Sequence, residues 1–439
     1  MAYLFLGLFK ALGHLLEHDS LAARETAQKK ASWPIERDTC DARSKHLHPA
    51  VAAFRTFVES NPRIFMHFRR MWQDAEKPKL DGHTIVRDLD HMFELLSEFI
   101  QHPPPWSPST SKLGSSGLPF SDIFYYAVLT PSGYAAFTDS EVTAHFKKLL
   151  LAWYSYLRSP ASQIGLDTWL SEENGCLEKL TQSANAPLGT THCFHDLFVC
   201  DPGKKHYGFT SWDDFFVRRF RPHIRPLCKE DDRTIINACE STPLALMENI
   251  RLQDEFWLKG APYSLVDMFN DKDIALQFEG GTVYQAFLSQ YSYHRWHAPV
   301  SGKVMKCYRI DGTYFVVPRM VEQFCPAKTG HLEVERCQAA LSSMCSRAVI
   351  IIKADNPLIG EVAFIAVGLH EVSTTQINVR QGQRLRRGEE MGMFHYGGST
   401  HCLVFKKDIQ VSVLRMDQSV NLPVNAALAR VNPYDRKAM

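Results

Sequence analysis

The chain has 439 residues, 45% of them hydrophobic and 22% charged, with a formal net charge of +1. That length suits two to three globular units with a sizeable core, and the balanced charge leaves no electrostatic footprint for nucleic acid or a strongly acidic partner. The eleven cysteines are odd in number, scattered and free of any C-x-x-C pair, which argues against a disulfide framework or a structural zinc site and for a reducing, cytoplasmic setting.

In chain order, Met1 to Leu16 places Leu4, Leu8, Ala11, Leu12, Leu15 and Leu16 at helical spacing. The run is shorter than the roughly 20 apolar residues that span a bilayer, and no small-residue cleavage site follows. A helix docked on the protein is the expectation. A helix lying in a membrane interface is its alternative, with peripheral membrane contact left open. Residues 1–48 therefore read as a helix and linker. From Pro49, apolar residues at three- and four-residue steps predict helices broken near Asn61-Pro62, then over Met92 to Ile100, Phe120 to Leu129 and Glu141 to Leu157, with a Ser/Gly/Pro-rich loop from Trp106 to Pro119. Residues 49–185 read as a helical domain whose aromatic stripes are core. His192-Cys193-Phe194-His195 lacks a second half and reads as packing, so no metal is expected.

Trp212 to Pro222 joins a short helical run to a basic turn, with Arg218, Arg219 and Arg221 among aromatics. After Arg225-Pro226 the texture becomes short β-rich runs: Ile235-Ile236, Thr282 to Tyr284, Lys303 to Met305, Tyr314 to Val317, Ala348 to Ile352, Val362 to Val367 and Val411 to Leu414. Residues 186–439 thus form a sandwich or barrel-like domain, and the fold class is α+β. Residues 318 to 347 are expected to loop over that barrel and shape its pocket.

Three pieces of the β-rich part carry chemistry. Near its C-terminal end, Phe394-His395-Tyr396-Gly397-Gly398-Ser399-Thr400 reads as an end-of-strand turn with a buried hydroxyl, and the two glycines clear the way for Ser399 to attack the Gly398 carbonyl. His294 and His297, three residues apart before a Pro/Gly turn, face one pocket if the segment is a helix or tight turn, and imidazole moves protons near neutral pH. Glu240, set in an apolar segment, suits the carboxylate that orients an imidazole.

Through Phe215-Phe216-Val217-Arg218, Tyr293-His294-Arg295-Trp296-His297-Ala298-Pro299 and Gly398-Ser399-Thr400, in order and approximate spacing, the chain resembles the phosphatidylserine decarboxylase family of pyruvoyl enzymes from about Trp212 to the C-terminus. The helical region resembles the accessory domain of one fungal branch that includes soluble tryptophan decarboxylases. The resemblance implies self-cleavage at 398/399. Ser399 attacks the Gly398 carbonyl to give an ester, elimination leaves a dehydroalanine, and hydrolysis releases ammonia and leaves a covalent pyruvoyl group at the new N-terminus. The fragment 399–439 would stay as the partner of the larger chain. It further implies His297 as the base, a carboxylate behind it, and His294 on the substrate side. Where the family usually has aspartate then glycine, this chain has Glu240-Ser241, and Glu240 is expected still to orient His297.

The favoured reading is a decarboxylase of an aromatic amino acid, tryptophan first, with the pyruvoyl ketone as electron sink. Phosphatidylserine decarboxylase is the alternative, and an uncleaved binding module is a third reading.

Overall fold

The computed structural model describes residues 47–75, 79–80, 83–84, 86–104, 106, 118–173, 176–253, 263–316, 339–369, 371, 374–396 and 399–432. The expectations for Met1 to Leu16, for the Gly397-Gly398 pair and for most of 318–347 fall outside them. The chain is α+β, with helices first and an extensive antiparallel sheet after them. Of the described residues, one compact unit holds those up to 177 with 210–212 and 315–316, and a second holds the rest.

The helical unit follows its sequence pattern closely. Helices α1 (Pro49–Ser60) and α2 (Pro62–Asp74) part at Asn61, whose side chain caps the second by accepting from the Ile64 N–H, with Pro62 in the first turn. Helices α3 (Leu89–Phe99), α4 (Pro119–Val128), α5 (Pro131–Phe137) and α6 (Ser140–Leu157) complete the bundle. Asp139 caps α6 through the Glu141 and Val142 N–H groups. Phe54, Phe68, Phe93, Phe124, Phe137 and Phe146 meet edge-on in its core.

One strand expectation fails here. Tyr314 to Val316 is irregular, and Phe315 sits among Phe124, Phe137 and Phe146, with ring centroids 5.3–6.0 Å apart. An apolar run that packs an aromatic into a helical core has the same composition as a strand.

In the second unit the strands are β1 (Thr234–Ile236), β2 (Thr242–Met247), β3 (Thr282–Leu288), β4 (Arg295–His297), β5 (Gly302–Ile310), β6 (Arg347–Ala354) and β7 (Glu361–Gly368). They continue as β8 (Thr375–Ile377), β9 (Arg384–Leu385), β10 (Glu390–Phe394), β11 (Ser399–Phe405), β12 (Val411–Val413) and β13 (Ala427–Val431). Seven make one antiparallel sheet in the order β9-β5-β6-β7-β11-β3-β2, and two three-stranded sheets, β8-β10-β4 and β12-β13-β1, accompany it. β6 and β7 are nearly continuous apolar runs because both their faces are covered, and β11 is buried along its whole length. β11 is an interior strand, hydrogen-bonded to β7 on one side and β3 on the other.

Candidate active site

Ser399 opens β11, paired with Leu288 of β3 and Gly368 of β7, and its side chain is fully buried. Its Oγ has no hydrogen-bond partner among the described residues. Such groups are scarce in native interiors, because an unmet hydroxyl forfeits its hydration. Alternation along β11 then sends Ser399, His401, Leu403 and Phe405 toward the main apolar core and Thr400, Cys402 and Val404 to the opposite face.

The two predicted histidines do not share a pocket in the expected way. His294 immediately precedes and His297 ends a short extended strand instead of a helix or turn, and residues three apart on an extended segment point to opposite sides. His294 is fully buried and stacks on Phe216 at 4.1 Å, while its carbonyl accepts from the Phe394 N–H. His297 is half-buried. Its Nδ1–H donates to the Gly388 carbonyl at 2.8 Å, so Nε2 holds the lone pair and receives the Tyr293 hydroxyl at 3.0 Å. Burial holds the His297 imidazole below its ordinary value, against the upward pull of the Gly388 carbonyl and Glu390. Gly388 supplies that carbonyl from a left-handed conformation (φ 84°) suited to glycine.

The predicted role of Glu240 is corrected. Its carboxylate does not touch His297; it accepts from Arg225 Nη2 at 2.6 Å and Nε at 2.9 Å and from the Val424 N–H at 2.8 Å. Arg225 is equally buried, so the bidentate ion pair takes up the oxygens that would have faced an imidazole. The Gly388 carbonyl orients His297 in its place.

The sequence reading also missed a polar chain that starts at His395, two residues before the Gly397-Gly398 pair. His395 Nδ1 donates to buried Asp213 at 2.9 Å and Nε2 to Gln376 Oε1 at 2.9 Å. The Gln376 amide nitrogen donates to Asn378 Oδ1, the Asn378 amide nitrogen to Glu390, and Glu390 also accepts from Arg295. The signal for this polar chain was the unusual pairing of an aspartate before Phe215-Phe216 with a histidine next to the glycines, 182 residues apart.

On the far face of β11, Thr400 Oγ1 donates to the Ala286 carbonyl and accepts from Gln285, whose amide oxygen receives the Tyr263 hydroxyl. Among the described residues no group of three or more His, Cys, Asp or Glu could hold a metal ion. No helix among them is long and apolar enough to cross a membrane.

A family model described as phosphatidylserine decarboxylase matches residues 212–425, and a second of the same description matches 48–176. "Decarboxylase iboD" of Amanita muscaria is 38% identical over 331 residues, 72% of this chain and 92% of that protein. The chain belongs to the phosphatidylserine decarboxylase family. It is a decarboxylase, a carboxy-lyase, as its relatives are named. L-tryptophan decarboxylase of Psilocybe cubensis is 32% identical over 378 residues, 84% of this chain and 82% of that protein. The phosphatidylserine decarboxylase proenzyme of Ruminiclostridium cellulolyticum is 31% identical over 206 residues, 46% of this chain and 61% of that protein. Phosphatidylserine decarboxylase proenzymes are in general pyruvoyl-dependent, and the unpartnered, enclosed hydroxyl of Ser399 fits the precursor of such a group.

Proposed function

We propose that this decarboxylase is a proenzyme that cuts itself between Gly398 and Ser399, makes a pyruvoyl group from Ser399, and releases carbon dioxide from an aromatic amino acid, tryptophan first. The observation that carries the reading is the Ser399 hydroxyl, fully buried at the head of the interior strand β11 with no hydrogen-bond partner among the described residues. A hydroxyl kept from water and from partners is free to attack the carbonyl before it. The pyruvoyl ketone would supply an electron sink for the departing carboxylate's electrons.

The chain's own residues would hold and move protons. His297, fixed by Gly388 as the Nδ1–H tautomer, takes a proton only at Nε2, directly or through the Tyr293 hydroxyl that bonds there. His294, enclosed against Phe216 beside the Phe394 backbone, lies on the substrate side of the proposal. Glu240 serves by neutralising Arg225 and anchoring the Val424 backbone.

Support for an amino-acid substrate is that the alignments to iboD and to tryptophan decarboxylase run through most of both chains, whereas those to the phosphatidylserine proenzymes span about half of this one. Phosphatidylserine remains the second reading, because the family models carry its name. Intact-mass spectrometry of the purified 50.0 kDa chain tests the cut, with a fragment 399–439 bearing the pyruvoyl mass as the expected result. Carbon dioxide release from L-tryptophan, beside phosphatidylserine vesicles, tests the substrate. An uncut chain ends the proenzyme reading, and release from the vesicles alone ends the amino-acid reading.

A further inference from the structure

His401 lies two residues beyond Ser399 on the same face of β11, a separation of about 7 Å along a strand. It is fully buried, and neither ring nitrogen has a hydrogen-bond partner among the described residues. Its neighbours across the sheet are small: Ala286 on β3, Ala366 on β7 and, beyond that, Ala348 on β6. Gly368 stands beside Ser399 on the same side. Above this band of short side chains the imidazole meets Tyr284 edge-on, ring centroids 6.0 Å apart, and Phe364 at 5.8 Å. The Tyr284 hydroxyl is also buried and without a partner among the described residues.

A core that needed only apolar filling would place a leucine or phenylalanine at either position at no cost in unmet hydrogen bonds. Two orphaned polar rings, flanked by alanines and next to the hydroxyl proposed to become the ketone, form half of a recognition site whose other half is the substrate. Burial keeps the imidazole neutral, with its pKa lowered to about 3, so His401 offers one N–H and one lone pair and no charge. The complementary group is a neutral N–H or O–H on a planar ring.

We infer that His401, with the Tyr284 hydroxyl, is the specificity-determining pair of this decarboxylase, accepting the ring N–H or O–H of an aromatic amino acid held at Ser399. The inference rests on the function proposed above and narrows its substrate to aromatic amino acids with a ring donor. A site built around a hydrogen bond rejects the analogue lacking it, because its own buried groups are then left unmet.

The test uses the full-length enzyme and two readouts. Calorimetry compares binding of indole with that of benzofuran, which has the same shape and no ring donor, and turnover compares L-tryptophan with L-phenylalanine. Wild type is expected to prefer indole and tryptophan by at least tenfold. His401→Phe should abolish both preferences, mainly through affinity and KM, and His401→Gln should restore part of them. Tyr284→Phe should weaken them while self-cleavage stays complete by intact mass. Equal binding of indole and benzofuran by wild type overturns the inference, as does an undiminished preference in His401→Phe and Tyr284→Phe. Should His401→Phe not fold, the Gln and Tyr284 variants carry the same comparison. An uncut wild-type chain sinks the proposed function whatever indole does, so the two failures are read separately.

Discussion

The two faces of β11 have nearly the same burial and opposite hydrogen bonding. On one, Thr400 is closed into a chain with Gln285, Tyr263 and the Ala286 carbonyl; on the other, the Ser399 and His401 side chains have no hydrogen-bond partner among the described residues. Burial alone therefore does not distinguish the face proposed to be reactive. A satisfied polar network rigidifies the strand, whereas an unsatisfied one keeps its groups available at a standing cost to stability. The strand is held by its far face so that its near face can stay unspent.

The largest effect that would break this contrast is at Ser399. Ser399→Ala is expected to stay a single uncut chain on a denaturing gel and to release no carbon dioxide, while Thr400→Val, one residue on and facing away, still cuts. Cleavage of the alanine variant would remove Ser399 from the chemistry.

Next comes the buried ion pair, another fully partnered set. Glu240→Ala leaves Arg225 charged and unpaired in the interior, and a loss of about 3–5 kcal/mol is expected in urea unfolding. Replacing both residues with apolar ones of similar volume should recover most of it. Where the single variant folds, it should still cut at 398/399, since the Gly388 carbonyl and not Glu240 holds His297. A folded but uncut Glu240→Ala would restore the orienting role read from the sequence.

That reversal shows where the sequence was legible. The break between the first two helices was readable because Asn61-Pro62 acts locally, and most β runs were readable because Val, Ile and Phe cluster in them. The strand β11 was not, since Ser-Thr-His-Cys at its head carries little β signal and is apolar only from Leu403. Ser399, His294 and His297 could be singled out from their motifs as candidate chemistry-bearing residues. Their relations were not readable: the facing of His294 and His297 depended on strand against helix, and the partner of Glu240 depended on Arg225, fifteen residues upstream and read only as the start of the β-rich texture. Long-range pairs such as Asp213 with His395 leave no periodicity to read.

A smaller effect belongs to the closed face. Thr400→Val keeps the shape of the side chain and removes its hydroxyl, leaving the Gln285 amide short of an acceptor. A loss of about 1–3 kcal/mol is expected, with the cleavage rate unchanged. A slower cut in a variant of normal stability would mean that the two faces are coupled through the strand.

The smallest effect is read by pH on the open face. His401 is held neutral by burial, its pKa falling from 6.5 to about 3 on folding. The unfolded chain therefore takes up a proton below pH 6.5 that the folded one refuses until about pH 3. The stability this preserves is complete above pH 6.5 and drains away as pH falls toward 3. Between pH 7 and 6 the folded-to-unfolded ratio should drop roughly threefold from this group, approaching about tenfold per unit further down. His401→Phe should remove that share of the acid slope, while Thr400→Val, on the bonded face, should leave it intact. An unchanged slope in His401→Phe would mean that the imidazole gains a partner or water in solution, and the contrast between the two faces would narrow to Ser399 alone.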